Sequence, residues 1–221
     1  MGNGPFSVPP APELSPEERD ELLQFARASI GSAILGGDSS SPVSNTAGIA
    51  APAGPSDGGS FPSEEERVLD SAATVFVSVY HLSDLRGCIG TVRAREPLRE
   101  TVAEMAVAAA TRDPRFAPLG VEELEDLAIE VSVLGPFVPV PAVERDADAR
   151  FLSIGENGVH LRRGARSGLF LPQVATRFGW DGVEFLEQLV RKAELTSGAW
   201  LADDAQLELF RVTSFRGGPA R

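Results

Sequence analysis

Residues 73–92 constrain the fold more than any other part of this sequence. Over residues 73–81, three valines alternate with polar or aromatic residues, and this two-residue period is typical of a half-buried strand. Residues 82–84 favour a turn, after which aliphatic side chains return at Leu85 and Ile89. We therefore predict an antiparallel hairpin with a three-residue loop, in the register that places the aliphatic residues of both strands on one face.

The second strand of this hairpin contains the hexapeptide Leu85, Arg86, Gly87, Cys88, Ile89 and Gly90. Alternate side chains of a strand share a face, so Arg86 and Cys88 point the same way. A guanidinium beside a thiol favours the nucleophilic thiolate. The pattern predicts Cys88 as a catalytic nucleophile, Arg86 as its activator, and Gly87 and Gly90 as substrate-binding positions where a ligand approaches the backbone. In the alternative interpretation, the cysteine packs as a small hydrophobe and the glycines mark a bulge.

Helices and further strands follow from local signals. Ser15 and Glu18 have the spacing of a capping box that begins a first helix. Residues 129–134 alternate as a third strand, and Asn157-Gly158 predicts a hairpin turn between strands at 151–156 and 159–163. A final strand is expected at 206–212. Helices mixed with hairpin strands indicate an α+β fold.

The composition divides the chain into one domain with flexible additions. Residues 1–12 are rich in proline and lack a periodic pattern, so we expect a disordered tail. Serine, glycine, proline and alanine dominate residues 38–62, which predicts a flexible segment inside a domain that covers 13–215. Residues 216–221 are expected to form a second disordered tail.

Charge and rare residue types exclude several classes of function. With 32 acidic and 20 basic residues, the chain has a net charge of -12, which disfavours nucleic acid as a partner. No apolar stretch approaches the ~20 residues that a membrane-spanning helix needs, so we expect a cytoplasmic protein. A composition with one cysteine and two histidines disfavours a metal centre, and no cofactor is evident.

Other polar residues are candidates for binding. Asp113-Pro114-Arg115 places two opposite charges beside a rigid proline at a helix end, which suits either substrate recognition or a surface ion pair. Glu130 and Ser132 lie on the polar face of the third strand and face either a ligand or water. A cysteine hydrolase also needs a histidine base. The predicted register turns His81 away from Cys88, and His160 could reach it only through tertiary folding.

The segments together resemble the AMMECR family over residues 14–215. The hexapeptide at 85–90 is the most specific match, supported by residues 113–116, 129–134, 167–174, 185–186 and 192–193 and by Trp200. The resemblance implies two unequal subdomains, each with an antiparallel sheet flanked by helices, and a cleft between them that residues 85–90 face. It also implies a pathway shared with Memo-type and radical-SAM proteins as partners.

The resemblance leaves two functions open. In the first, the protein is an enzyme or enzyme-like component in which Cys88 reacts and Arg115 and Gln173 orient the substrate, while Asp113 or Glu130 handles protons or holds an arginine in place. In the second, it is a non-catalytic binding module that presents the cleft to a protein or a metabolite. Two departures from the family pattern are Val190, where relatives often have cysteine, and Glu194, where they usually have glycine.

Overall fold

The structure is a computed structural model that describes residues 6–36, 68–92 and 95–218. The predicted flexible segment at 38–62 lies outside these residues. The α-helices and strands follow one another along the described residues in this order: α1 (Pro16–Leu35), β1 (Val75–His81), β2 (Asp84–Thr91), α2 (Leu98–Thr111), β3 (Leu127–Leu134), β4 (Val138–Pro139), β5 (Gly158–Arg163), β6 (Arg166–Phe170), α3 (Pro172–Phe178), α4 (Gly182–Lys192), β7 (Gln206–Phe210) and β8 (Val212–Gly217).

The first sheet has the strand order β2-β1-β3-β8, and every neighbouring pair is antiparallel. Helices α1 and α2 contact each other and cover one face of this sheet. The valines of β1 point into the resulting core and are fully buried, as their alternation predicts. Ser15 and Glu18 form the predicted capping box at the start of α1.

The second sheet has the order β4-β7-β5-β6 and is also antiparallel. Helix α4 packs against β5 and β6, and Asp181 caps its first turn. Phe151, Phe185 and Trp200 are the largest buried side chains of this second core. Two antiparallel sheets with flanking helices confirm the predicted α+β fold.

A third apolar cluster joins the two sheets. It contains Leu134 of β3, Leu169 of β6 and Phe210 of β7, with Phe76 of β1 packed against it. Phe76 lies on the face of the first sheet opposite to the buried valines, since neighbouring residues of a strand point to opposite sides. This face of the first sheet, which carries the candidate site residues, therefore turns toward the second sheet.

The hairpin has the predicted register but a different turn. Val77 pairs with Ile89 and Ser78 with Cys88, which places the aliphatic residues together as expected. Closer to the turn, His81 pairs with Asp84, so the loop has two residues instead of three. A β-bulge at Arg86 compensates for the difference, because the extra residue of β2 lies between the paired positions Leu85 and Gly87.

Two other local predictions are wrong. Residues 151–156 form no strand, because the Asn157 side chain accepts a hydrogen bond from the backbone N–H of Ser153 at 2.9 Å and closes a turn. The hairpin turn instead lies at Gly164, between β5 and β6. The expected single strand at 206–212 is divided at Arg211, where the chain passes from the second sheet to the first.

Neither predicted tail has the expected bounds. Residues 6–12 pack on the second core, where Val8 is buried and Phe6 makes an edge contact with Phe151 at 6.5 Å between ring centroids. Burial of these apolar side chains offsets the entropy of ordering a segment that its prolines already stiffen. At the other end, β8 continues to Gly217.

Candidate functional site

Cys88 lies on β2, an edge strand of the first sheet. The backbone N–H of Cys88 donates a hydrogen bond of 2.8 Å to the Asp113 carboxylate, and its carbonyl oxygen accepts one of 3.3 Å from the Arg115 guanidinium. Both backbone groups face away from β1, where an edge strand has no neighbour. Two side chains of the turn after α2 thus form hydrogen bonds with the outer edge of β2 at Cys88.

Asp113 and Arg115 form a rigid pair. The guanidinium of Arg115 donates to the two carboxylate oxygens at 2.9 and 2.6 Å, and its backbone N–H donates to the same carboxylate at 3.1 Å. The Asp113 side chain is only 2% exposed, whereas that of Arg115 is 57% exposed. The Arg115 hydrogen bonds, with that from Cys88 N–H, hold the pKa of Asp113 well below its usual range despite burial.

The two glycines of the hexapeptide permit close packing around Cys88. A side chain at Gly87 would collide with the carbonyl oxygen of Ala109, only 1.9 Å from the position of an added Cβ, so glycine lets α2 approach β2. At Gly90, the ring of Phe76 occupies the space that a Cβ would need. Protein atoms therefore fill the room beside both glycines, which the sequence predicted as substrate-binding positions.

Lys192, the last residue of α4, brings a second cation to Cys88. Its ammonium donates to the carbonyl oxygen of Leu169 at 2.8 Å and lies 4.7 Å from the centroid of the Phe170 ring. Burial lowers the pKa of Lys192, the charge of Cys88 opposes this shift, and the charge of Arg115 adds to it. The residue as a whole is exposed, so its amine is partly desolvated at the protein surface. Sequence reasoning included Lys192 in the family resemblance but not among the site residues.

Arg86 is placed differently from the sequence hypothesis. Its guanidinium forms an ion pair with Glu123 and donates to the carbonyl oxygen of Ala117 at 3.2 Å. The bulge at Arg86 interrupts the alternation on which the predicted pairing with Cys88 depended. The cations whose charges interact with Cys88 are Arg115 and Lys192, whereas the sequence predicted Arg86 in this role.

A polar row crosses the first sheet from the cysteine. Cys88 is opposite Ser78, Ser78 is opposite Glu130, and Glu130 is opposite Arg216. Tyr80 lies on the same face, with the Arg216 guanidinium 4.2 Å from its ring centroid. Burial raises the pKa of Tyr80, and the charge of Glu130 raises it further. The row places one thiol, one carboxylate and one phenol on a single surface.

A cavity of about 580 Å³ lies at the far end of this row. Its lining contains Glu130 from the first sheet and Gln173 from α3, together with Arg211 and Arg216. Ser132 is buried beside it and shares a hydrogen bond of 2.9 Å with the Ser214 hydroxyl. Two predicted binding residues, Glu130 and Gln173, thus meet in one cavity. The lining includes none of residues 85–90, so a cleft that this hexapeptide faces stays a prediction.

Neither histidine is placed beside Cys88 by the contacts that the structure gives it. Nδ1 of His81 lies 3.9 Å from the Glu123 carboxylate, on the Arg86 side of the hairpin. His160 contacts Glu208 and Ser167 on the second sheet. Among residues 6–36, 68–92 and 95–218, no cluster of three or more histidine, cysteine, aspartate or glutamate residues could hold a metal ion. Within the same ranges, no helix has the length and apolar character needed to cross a membrane.

Comparison with known proteins places the chain in a family. The sequence profile of AMMECR1 matches residues 24–215, most of the chain. The chain belongs to the AMMECR1 family. A relative from Methanopyrus kandleri is 41% identical over 154 residues, which cover 66% of this chain and 74% of the relative. A second AMMECR1 relative, from Aeropyrum pernix, is 42% identical over 133 residues, covering 60% of this chain and 57% of that protein.

A solved structure supports the same assignment. The crystal structure of an uncharacterised protein from Pyrococcus horikoshii superposes with a TM-score of 0.71 at 32% identity, covering 90% of this chain and 92% of the other. The predicted α+β fold with two antiparallel sheets is therefore confirmed. A pathway shared with Memo-type and radical-SAM proteins remains a prediction.

Proposed function

We propose that this AMMECR1-family protein acts through Cys88 as a nucleophile or covalent carrier, with Arg115 and Lys192 as the cations whose charges act on it. One observation carries the proposal: Arg115, in the turn after α2, donates a hydrogen bond of 3.3 Å to the carbonyl oxygen of Cys88, and the charge of this single cysteine acts on both Arg115 and Lys192 at the end of α4. Positive charge near a cysteine stabilises the form that attacks electrophiles.

The surroundings of the thiol suit a reaction more than a structural role. Cys88 is partly exposed, so a substrate can reach its sulfur. Asp113 and Arg115 hold its backbone from the outer edge of the sheet, which keeps the nucleophile at one position. Glu130 and Gln173 lie along the same surface in the 580 Å³ cavity, where they would orient the rest of a substrate and move protons.

The direct test is the rate at which iodoacetamide alkylates the thiol. Cys88 is the only cysteine, so the measured rate belongs to one site. Lys192→Met removes the ammonium and keeps the length of the side chain, and we expect alkylation at neutral pH to slow, because positive charge near a thiol favours its nucleophilic form. Arg115→Gln should act in the same direction.

Two further variants make this test specific. Arg86→Gln separates the two accounts of activation: it leaves the rate unchanged if Arg115 and Lys192 act, and slows it if Arg86 acts as the sequence suggested. Arg150→Gln is the control, since this side chain is 78% exposed and pairs with Asp148. Equal rates for the wild type, Lys192→Met and Arg115→Gln would refute activation by these cations.

The partner proteins follow from the family resemblance and are part of the proposal. The protein would act in one pathway with Memo-type and radical-SAM proteins, accepting or delivering a metabolite at Cys88. Co-purification of the three proteins from one source organism tests the association, with Cys88→Ser and Arg115→Ala as variants. Failure of wild-type protein to bind either partner, or to change the products of their reactions, would exclude this part.

A non-catalytic binding module is the second candidate. The observation in its favour is that the cavity of about 580 Å³, a size typical of sites for small molecules, includes no residue of the hexapeptide in its lining. Thermal-shift screening against cellular metabolites distinguishes the two functions. A ligand that stabilises wild type and Cys88→Ser equally, but not Gln173→Ala, supports binding without chemistry. A ligand that requires Cys88 supports the reactive thiol.

A further inference from the structure

Three polar side chains on the second sheet form a chain of contacts. Nδ1 of His160 lies 2.9 Å from a carboxylate oxygen of Glu208, and Nε2 of the same ring lies 3.5 Å from the hydroxyl oxygen of Ser167. His160 and Glu208 are directly paired between β5 and β7. Ser167 is on β6, paired with the residue two positions after His160. Three adjacent strands therefore supply the three groups on one face of the sheet.

The order of the contacts sets the direction of proton transfer. An ionised carboxylate only accepts hydrogen bonds, so when the His160 ring carries a single proton, the contact with Glu208 places that proton on Nδ1. The lone pair of Nε2 then points toward the hydroxyl of Ser167. This is the relationship among nucleophile, base and orienting acid that activates a serine. The 3.5 Å contact is long, as catalytic hydrogen bonds often are without a substrate.

The three residues share a cavity that is open to small molecules. It has a volume of about 260 Å³ and is also lined by Val92, Phe137 and Arg162. Ser167 is exposed, whereas the side chain of His160 is only 11% exposed. The Phe137 ring makes an edge contact with the imidazole at 5.7 Å between centroids, which restrains the plane of the base.

We propose that Ser167, His160 and Glu208 form a nucleophilic serine site that takes the acyl group of small esters. The cavity is smaller than the roughly 300–1,000 Å³ of most sites for drug-sized ligands, which limits the acyl group to a short one. Val92 and Phe137 provide apolar contacts for that group, and Arg162 provides a cation for the carbonyl oxygen. The site does not involve Cys88, so it is independent of the function proposed above.

The reaction balances with ester and water alone. The hydroxyl oxygen of Ser167 attacks the carbonyl carbon while Nε2 of His160 accepts its proton. The bond between the carbonyl carbon and the leaving oxygen breaks, and that oxygen receives the proton from His160 and departs as an alcohol. Water then attacks the acyl-serine with His160 as base again, releasing the acid and restoring Ser167.

A fluorophosphonate probe tests the proposal on the full-length protein. The serine oxygen displaces fluoride from phosphorus, and mass spectrometry of the digested protein locates the adduct. We expect an adduct on Ser167 that is absent from Ser167→Ala and forms about 100-fold more slowly in His160→Gln, which lacks the base. With Cys88→Ser in the background, so that no thiol can react with the ester, the same variants should lose the burst of nitrophenol that the parent protein releases from p-nitrophenyl acetate.

Two further variants serve as controls for the labelling of Ser167. Ser83→Ala removes an exposed serine of the β1–β2 turn and should leave labelling unchanged. If His160→Gln does not fold, as judged by its melting transition, Glu208→Gln gives the same comparison with a smaller change. Absence of an adduct on Ser167 under conditions that label a known serine hydrolase would overturn the proposal. So would equal labelling rates for the wild type and a folded His160 or Glu208 variant.

Discussion

The carboxylate of Asp113 accepts the backbone N–H of Cys88 at 2.8 Å, so an acidic side chain takes the place of a neighbouring strand at the edge of the first sheet. Arg115 completes the substitution by donating to the Cys88 carbonyl. The side chains of Asp113 and Arg115 therefore make the two hydrogen bonds to the Cys88 backbone that a neighbouring strand would otherwise make. The position of the thiol depends on an ion pair as well as on the sheet.

Replacement of Asp113 should give a pH-dependent loss of stability. Asp113→Asn keeps the size of the side chain but weakens its hydrogen bonds to Arg115, and we expect the free energy of unfolding at neutral pH to fall by about 2 kcal/mol. Because folding lowers the pKa of Asp113, its contribution is present above the unfolded pKa of about 3.9 and is lost as the pH falls toward the folded pKa. The difference between variant and wild type should therefore shrink in acid.

Denaturant unfolding at several pH values measures this effect. The control is Asp148→Asn, because Asp148 also pairs with an arginine but its side chain is 65% exposed. That variant should change stability by less than about 1 kcal/mol at any pH. A constant difference between Asp113→Asn and wild type from neutral to acid pH would contradict the proposed role of the carboxylate charge.

Gly87 should tolerate no side chain. The added methyl group of Gly87→Ala would meet the Ala109 carbonyl oxygen, so α2 must move, and we expect a loss of about 3 kcal/mol. Gly31→Ala in α1 is the matched control, since nothing lies within 4 Å of its added Cβ. That change should instead stabilise the protein by about 0.5–1 kcal/mol, because alanine favours a helix. Similar melting temperatures for the two variants would be inconsistent with the close approach of α2 to β2.

Tyr80 offers a spectroscopic test of the polar row. It is the only tyrosine in the chain, so tyrosinate absorbance in an alkaline titration reports on one group. Burial and the charge of Glu130 raise the pKa of Tyr80, and the charge of Arg216 lowers it. Glu130→Gln should therefore lower this pKa, and Arg216→Gln should raise it further. Shifts in the same direction for both variants would show that the row is arranged differently.

Glu194 has a backbone conformation that favours glycine. Its φ angle is +54°, in the left-handed region, where a side chain costs roughly 1–2 kcal/mol. Glu194→Gly should raise the free energy of unfolding by about 1 kcal/mol, whereas Gln188→Gly inside α4 should lower it by a similar amount. Calorimetry on both variants checks the prediction, and destabilisation by Glu194→Gly would disprove it.

Local patterns in the sequence were sufficient for much of the fold. The alternation of Val75, Val77 and Val79 predicted β1 and its buried face, and a capping box predicted the start of α1. These signals depend on residues a few positions apart. No local sequence pattern predicts the bulge at Arg86. It arises because the two-residue turn and the register of the buried valines differ by one residue, which β2 must accommodate. Its displacement of Arg86 was therefore missed.

The candidate site was predictable only in part. Asp113 and Arg115 could be singled out because they are close in sequence at a helix end. Lys192 is more than one hundred residues from Cys88, and only the packing of α4 on β6 brings its ammonium near the thiol. The contact between His160 and Ser167 likewise requires the β5–β6 hairpin at Gly164, whereas the sequence favoured a turn at Asn157-Gly158.

The apolar cluster between the sheets has a consequence for the thiol. The first sheet with α1 and α2 forms one lobe, and the second sheet with α3 and α4 forms the other. Cys88 and Arg115 belong to the first lobe, and Lys192 belongs to the second. The charge around the sulfur therefore depends on the distance between the lobes, which the packing of Phe76 and Leu169 maintains. A ligand that separates the lobes would move Lys192 away from Cys88 and lower the alkylation rate of the thiol. A ligand that draws the lobes together would bring Lys192 closer and raise that rate. The alkylation rate of one cysteine is thus a measure of the spacing between the two halves of the molecule.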